Sequence, residues 1–233
     1  MEDNRYSRQL LIPEIRNGMS NVQNVTVAIV GCGGLGSLNI LYLVALGVKK
    51  LILIDGDKVD TTNLNRQIIY LEKDIGRYKV DCAEEKVKEI NQYAKVKKYK
   101  KYLDKSNADV LLQDADIILD CVDNLATRYL LDDLCSKRST PVFFSAVEGF
   151  KGFVYSRKKS NYPPYSDIFK PANHPDCRQK ASFGAGVGLI SCLQCLEVIK
   201  YLTFEENEGP FIMDVDMKNN IFNIIRLEEE SAL

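Results

Sequence analysis

The stretch VAIVGCGGLGSLNI, residues 27–40, decides how the chain folds. With the two residues before it, it opens on VTVAIV (25–30), a short β-branched run that meets a glycine turn, the pattern of a strand buried on both faces. From Leu35 to Leu46 apolar residues recur at helical spacing, and Gly47 ends the segment. The turn between them reads GxGxxG through Gly31, Gly33 and Gly36, with Gly34 inside it. Glycine removes Cβ where the chain turns sharply and where a phosphate must approach the backbone. The helix behind the turn aims free N–H groups and the positive end of its dipole at that phosphate. Asp55 ends the next apolar run, KLILID (50–55), where it can accept hydrogen bonds from a ribose hydroxyl. These features support a nucleotide with ribose and phosphate over a tight turn with no ligand. They do not separate a nicotinamide dinucleotide from ATP.

Working outward, the alternation continues. Residues 79–91 suit a helix with Val80, Ala83, Val87 and Ile90 on one face; ADIILD (115–120) reads as a strand, 125–137 as a helix and PVFFSAV (141–147) as a strand. Strands and helices alternating through short connections predict an α/β fold with a doubly wound, Rossmann-like, mostly parallel sheet. After residue 147 the style changes. GFVYSR (152–157) and FIMDVDMKNNIFNIIRL (211–227) read as strands, the latter a hairpin about Asn219–Asn220, which predicts an antiparallel C-terminal extension. Residues 158–183 hold four of the seven prolines and show no period, the mark of a long functional loop. From Gly184 to Leu202 an apolar helix returns. Residues 1–22 form an N-terminal helical segment, with 7–20 helical and broken at Pro13. The whole, 1–233, is read as one domain.

Composition narrows the function. Lys and Arg number 31 against 32 Asp and Glu, so the net charge of −1 makes no electrostatic case for nucleic acid. The N-terminal MEDNRYSRQL is too polar for a signal peptide, and no apolar run approaches the roughly 20 residues of a membrane helix. Seven cysteines, an odd number without a regular framework, predict reduced thiols and a cytoplasmic location.

The choice between cofactors comes from DGDKVDTTNLNRQIIYLEKDIGRYKVDCA (55–83), which gathers Asp55, Asp57, Asn63, Arg66, Gln67 and Lys79 in one short span. A dehydrogenase needs a proton donor near its nicotinamide, not two cations and two amides around phosphate. The single histidine, His174, lies far off in the proline-rich loop. Nucleotidyl transfer does need those cations, because charge builds on phosphate oxygens as the leaving group departs. DCVDN (120–124) adds Asp123 just past a strand's C-terminal end, where ligands sit in open α/β sheets and where a carboxylate suits Mg²⁺ bridging phosphates.

The ordered set RYSRQ (5–9), GCGGLGS (31–37), LIDGDKVDTTNLNRQ (53–67), IGRYKVDCA (75–83), DCVDN (120–124) and LQCLEVIKYL (193–202) resembles the ThiF/MoeB/HesA family, bacterial relatives of ubiquitin-activating enzymes. The resemblance runs over nearly the whole chain. It implies a homodimer that uses ATP and Mg²⁺ to adenylate the C-terminal carboxylate of a small ubiquitin-like sulfur carrier ending in Gly-Gly, with pyrophosphate released. It also implies residue roles. Gly31, Gly33, Gly34 and Gly36 line the phosphates and Asp55 holds the ribose. Asp57, Asn63 and Gln67 contact nucleotide or phosphate. Arg66 and Lys79 neutralise the triphosphate, and Asp123 holds the metal. Arg8 resembles the arginine that relatives place in the neighbouring subunit's site. Cys177, in HPDCRQ, matches a cysteine that some relatives use to carry the activated partner covalently. Adenylation of a short peptide or another carboxylate is the alternative reading, and a catalytically silent partner subunit a third.

The sequence also departs from the family. Relatives carry two CxxC pairs for a structural zinc, and this chain has Pro164 and Asp167 at the first pair's positions and ends RLEEESAL, so that zinc site is expected to be absent. A second constellation, His174-x-x-Cys177 with Cys192-x-x-Cys195, has zinc-like spacing. The latter pair sits in an apolar helix and is read as packing, as are Cys32, Cys82, Cys121 and Cys135. The lysine run KVKKYKKYLDK (95–105) is read as a solvated edge strand.

Overall fold

The computed structural model describes residues 5–169, 181–204 and 208–229. Eight strands form one sheet: β1 Thr26–Val30, β2 Lys50–Ile54, β3 Lys95–Tyr99, β4 Ile117–Asp120, β5 Val142–Glu148, β6 Lys151–Arg157, β7 Phe211–Asp216 and β8 Ile221–Arg226. Their spatial order is β3-β2-β1-β4-β5-β6-β7-β8. The five strands from β3 to β5 are parallel, and from β5 onward each pairing is antiparallel. The expected parallel sheet and antiparallel extension are both present. Order reverses between β1 and β4, which makes their C-terminal rim the topological switch point.

Strand periodicity explains the continuous apolar runs. Within β1, Val27 and Ile29 face one core while Ala28 and Val30 face the other, so neither side can be polar. The first core is roofed by helices α1 (Pro13–Asn24), α2 (Gly34–Leu46), α3 (Lys79–Ile90) and α7 (Gly184–Thr203). The second is covered by α4 (Ala108–Leu111), α5 (Leu125–Arg138) and α6 (Tyr165–Ile168).

Two readings need correction, those of Pro13 and of the longest apolar run, and one short helix has no counterpart in the sequence reading. Pro13 does not break a helix; it opens α1 at a position where its missing N–H costs nothing, after a separate 3₁₀ turn over Gln9–Leu11. The four-residue α4 carried too little periodicity to be read. The segment Gly184–Thr203 is long and apolar enough to cross a membrane by length and composition; here it is a core helix, packing Val187, Ile190, Cys195 and Val198 against the sheet. The lysine run behaves as expected: β3 is an edge strand, with Lys97 on Asp114 at 2.9 Å and Lys98 on Asp81 and Glu84 at 2.6 Å.

Candidate active site

A cleft of about 1530 Å³ opens at the switch point. Gly31, Gly33 and Gly34 line it beside Asp55, Asp57, Arg66, Gln67, Lys79 and Asp123. Residues from four separate segments thus converge, which local spacing alone does not guarantee.

The glycines divide by task. Gly31 has φ +90°, and a Cβ there would lie 2.6 Å from the Cys121 carbonyl oxygen, so it serves the turn and its packing on β4. A Cβ on Gly36 would lie 2.0 Å from the Gly31 oxygen, which makes Gly36 a helix-to-strand contact; it does not line the cleft. A Cβ on Gly34 would lie 2.8 Å from the Val187 side chain of α7, so Gly34 serves packing as well. Gly33 is different: its Cβ would meet only the Gln67 amide, at 3.7 Å. What that missing Cβ leaves open is the cleft itself. Gly33 also precedes α2, whose N-terminus has no side-chain cap.

Asp55 braces this turn. Its two carboxylate oxygens accept the Cys32 and Asp57 backbone N–H groups, both at 2.7 Å. Burial pushes the carboxyl above its ordinary value, with the Lys79 ammonium opposing. Tyr70 donates to the Cys32 carbonyl at 2.7 Å, closing the loop from below. The Cys32 and Cys121 thiols are fully buried and driven well up by that burial, so both serve as packing residues, as read from sequence.

The cations are held in two ways. Lys79, almost buried at the start of α3, donates to Asp57 at 2.9 Å. Burial raises the Asp57 carboxyl, but hydrogen bonds from Tyr102 and Lys79 outweigh it and hold the group below the usual carboxylate value. Arg66 donates to the Thr62 carbonyl at 2.8 Å and to Asn65 Oδ1 at 2.9 Å, neutral acceptors that orient the guanidinium without cancelling its charge. Gln67 is 4% exposed, and its Oε1 has no hydrogen-bond partner among the described residues. That oxygen is an acceptor on the cleft wall, open to a hydrogen-bond donor. Asp123 is exposed in the turn between β4 and α5, and neighbouring Asn124 caps α5 through the Thr127 N–H at 2.9 Å.

Two further expected residues lie away from the cleft, and a third is outside the described residues. Asn63 does not line the cleft; its side-chain oxygen accepts the Asp60 N–H at 3.2 Å and closes the turn that carries Arg66. Arg8 is exposed beside Gln9, which donates to the Leu46 carbonyl at the far end of α2. The thirteen residues of α2 separate that end from the glycine turn by about 20 Å. Cys177 falls outside the described residues, as does His174. Of the zinc-like pair, Cys195 is buried with its thiol pushed up to about 12 and Cys192 is half-buried in α7, where they pack as expected.

Other site residues escaped the sequence. Arg128, buried in α5, donates to the Val122 and Ser145 carbonyls at 2.7 and 2.8 Å and pairs with Asp120 at 3.4 Å, fixing the turn that bears Asp123. Gln194, buried in α7, donates to the Asp120 and Phe143 carbonyls and accepts from Asn39 of α2. Its spacing in an apolar helix reads as core. Only a polar residue on the buried stripe hinted at this bracket.

Fold and cleft define the class: a Rossmann-type α/β protein with a crevice at its switch point lined by glycines and cations. A profile of the ThiF family matches residues 6–232, and the chain belongs to that family. It is 40% identical over 202 residues to the adenylyltransferase and sulfurtransferase MOCS3 of Arabidopsis thaliana, covering 84% of this chain and 43% of that one. It is 33% identical over 206 residues to the SAMP-activating enzyme E1 of Haloferax volcanii, covering 86% and 76%. The chain thus spans less than half the length of the Arabidopsis relative. Among solved structures, Escherichia coli MccB with ATP superposes with a TM-score of 0.84 at 19% identity, over 98% of this chain and 73% of that one. PaaA superposes at 0.79 and 22% identity, over 100% and 74%. At these identities the likeness is one of fold.

Proposed function

We propose that this chain is an ATP-dependent adenylyltransferase that activates the C-terminal carboxylate of a small ubiquitin-like carrier protein as an acyl-adenylate. The observation that carries the reading is the convergence of Gly33, Arg66, Gln67, Lys79 and Asp123 on one cleft at the switch point. The relatives named as adenylyltransferases, and the one named for activating SAMP, agree with it.

The chemistry follows from these residues. A carboxylate oxygen of the carrier bonds to the α-phosphorus while the bond from that phosphorus to the oxygen bridging to the β-phosphate breaks, giving acyl-AMP and pyrophosphate. No protein nucleophile is required. The N–H groups at the start of α2 and the Arg66 and Lys79 cations offset the charge that builds on the departing pyrophosphate. Lys79 exchanges Asp57 for phosphate oxygen, and the Gln67 amide nitrogen, which already faces the space over Gly33, donates to the same group. Asp123, an exposed carboxylate lining the same cleft, is the residue that would hold Mg²⁺, a hard cation that would supply charge neutralisation to the triphosphate. The cleft exceeds the roughly 300–1,000 Å³ of pockets that bury a single small ligand, which leaves room for a carrier tail ending in Gly-Gly beside the nucleotide.

Arg8 cannot serve its own glycine turn across the length of α2, so its proposed role is in the partner protomer of a homodimer. Cys177 is proposed as the site of a later covalent adduct, and the cytoplasm as the location. The test is ATP–pyrophosphate exchange with candidate carriers ending in Gly-Gly, with the adenylate read by intact mass. We expect Arg66→Ala to lower exchange by about 10²-fold, the scale of losing one preorganised donor. Near-normal exchange by a folded Arg66→Ala protein contradicts the reading. Exchange supported by short peptides and by no carrier transfers it to the alternative substrate.

A further inference from the structure

The rim of the sheet presents its parts in strand order. The glycine turn follows β1 and Asp55 follows β2; Tyr102 follows the next strand outward, β3. In a crevice that seats phosphate on the first turn and ribose on the acid of the second strand, the base must lie one step further along that rim. There Ile54, Leu103 and Val122 line the cleft with apolar side chains, and Tyr102 lines it with an aromatic one.

Two contacts fix the Tyr102 ring. It lies flat enough on Gly56 that a Cβ there would be 2.9 Å from Cδ2 and Cε2 and 3.0 Å from Cζ. Its hydroxyl donates to Asp57, the carboxylate that holds Lys79. The residue is nonetheless 67% exposed, so most of a pinned ring is presented to the cleft and solvent. An aromatic surface held from behind and by its edge is preorganised for stacking.

We propose that Tyr102 is the platform on which the nucleotide base stacks, and hence a residue that sets base specificity; this rests on the nucleotide reading above. The hydroxyl ties that platform to the counter-ion of the phosphate cation. Gly56 is the residue whose small size seats the ring.

The experiment is calorimetric binding of ATP and of inorganic tripolyphosphate, which has the phosphates without ribose or base. Tyr102→Ala is expected to weaken ATP binding by about 5- to 100-fold and to leave tripolyphosphate within about twofold. Tyr102→Phe keeps the ring and stays near the parent for ATP. Gly56→Ala displaces the ring and weakens ATP as Tyr102→Ala does, and the double variant is no weaker than either. Unchanged ATP affinity in Tyr102→Ala overturns the proposal. Equal losses for ATP and tripolyphosphate also overturn it, because Tyr102 then acts on the phosphates through Asp57 and Lys79. Failure of the parent protein to bind ATP refutes the nucleotide reading instead.

Discussion

Two alanine substitutions three residues apart, Gly33→Ala and Gly36→Ala, separate ligand from packing within one turn. At Gly36 the new Cβ would sit 2.0 Å from the Gly31 oxygen and 3.0 Å from its carbon, both backbone atoms, so α2 must move off β1. Overpacking of this kind costs about 1–3 kcal/mol or more. At about 2–4 °C per kcal/mol for a chain of this size, the melting temperature should fall by about 2–12 °C. At Gly33 the nearest atom is the Gln67 amide nitrogen at 3.7 Å, ordinary contact, so the fold should be nearly indifferent, within about 0.5 kcal/mol. The methyl group instead occupies the space a phosphate needs. ATP at a hundred times its dissociation constant should add about 2.7 kcal/mol to the parent and to any variant that still binds it. Thermal unfolding with and without ATP reads both effects. We expect Gly36→Ala to melt early, and Gly33→Ala to melt like the parent but to lose the ATP-induced rise and pyrophosphate exchange. An undiminished ATP shift in Gly33→Ala would refute the seating of phosphate on this turn.

Three further outcomes are expected. Because Asp57 titrates below its ordinary value, its contribution to stability is present above the usual carboxylate pKa of about 4 and is lost as pH falls through the depressed value. The melting-temperature gap between parent and Asp57→Asn should therefore be widest near neutrality and shrink on acidification, and a gap that grows at low pH refutes the sign. Arg128→Met leaves fully buried Asp120 without its cation and should cost about 3–5 kcal/mol, with partial recovery in Arg128→Met/Asp120→Asn; a wild-type melting temperature would show that the pair is dispensable. If Arg8 completes a partner's site, Arg8→Ala and Arg66→Ala proteins, each impaired alone, should on mixing and subunit exchange recover about a quarter of parent activity, from the one intact site of each mixed dimer. No recovery despite demonstrated exchange would place Arg8 outside the chemistry.

Much of the fold was legible because it is written in local patterns. Val27–Val30 and Leu51–Ile54 are apolar on both faces, and only a covered parallel sheet tolerates that. The glycine turn, Asp55, Arg66 and Lys79 announced a phosphate chemistry through residue type alone. Asn63 and Gly36 belong to the same motifs but do not line the cleft, since a motif does not say which of its members the protein spends on itself.

The sequence alone determined the strand–turn–helix order, the doubly wound class and the kinds of charge brought to the cleft, because periodicity and side-chain chemistry act over a few residues. Tertiary structure decided which groups meet. Gln194 reaches Asn39 across 155 residues, Tyr102 reaches Asp57 across 45, and α2 holds Arg8 a helix length away from its own glycine turn. Such contacts depend on the order in which strands pair, and strand order is set by the packing of the whole sheet, which no short window of sequence contains.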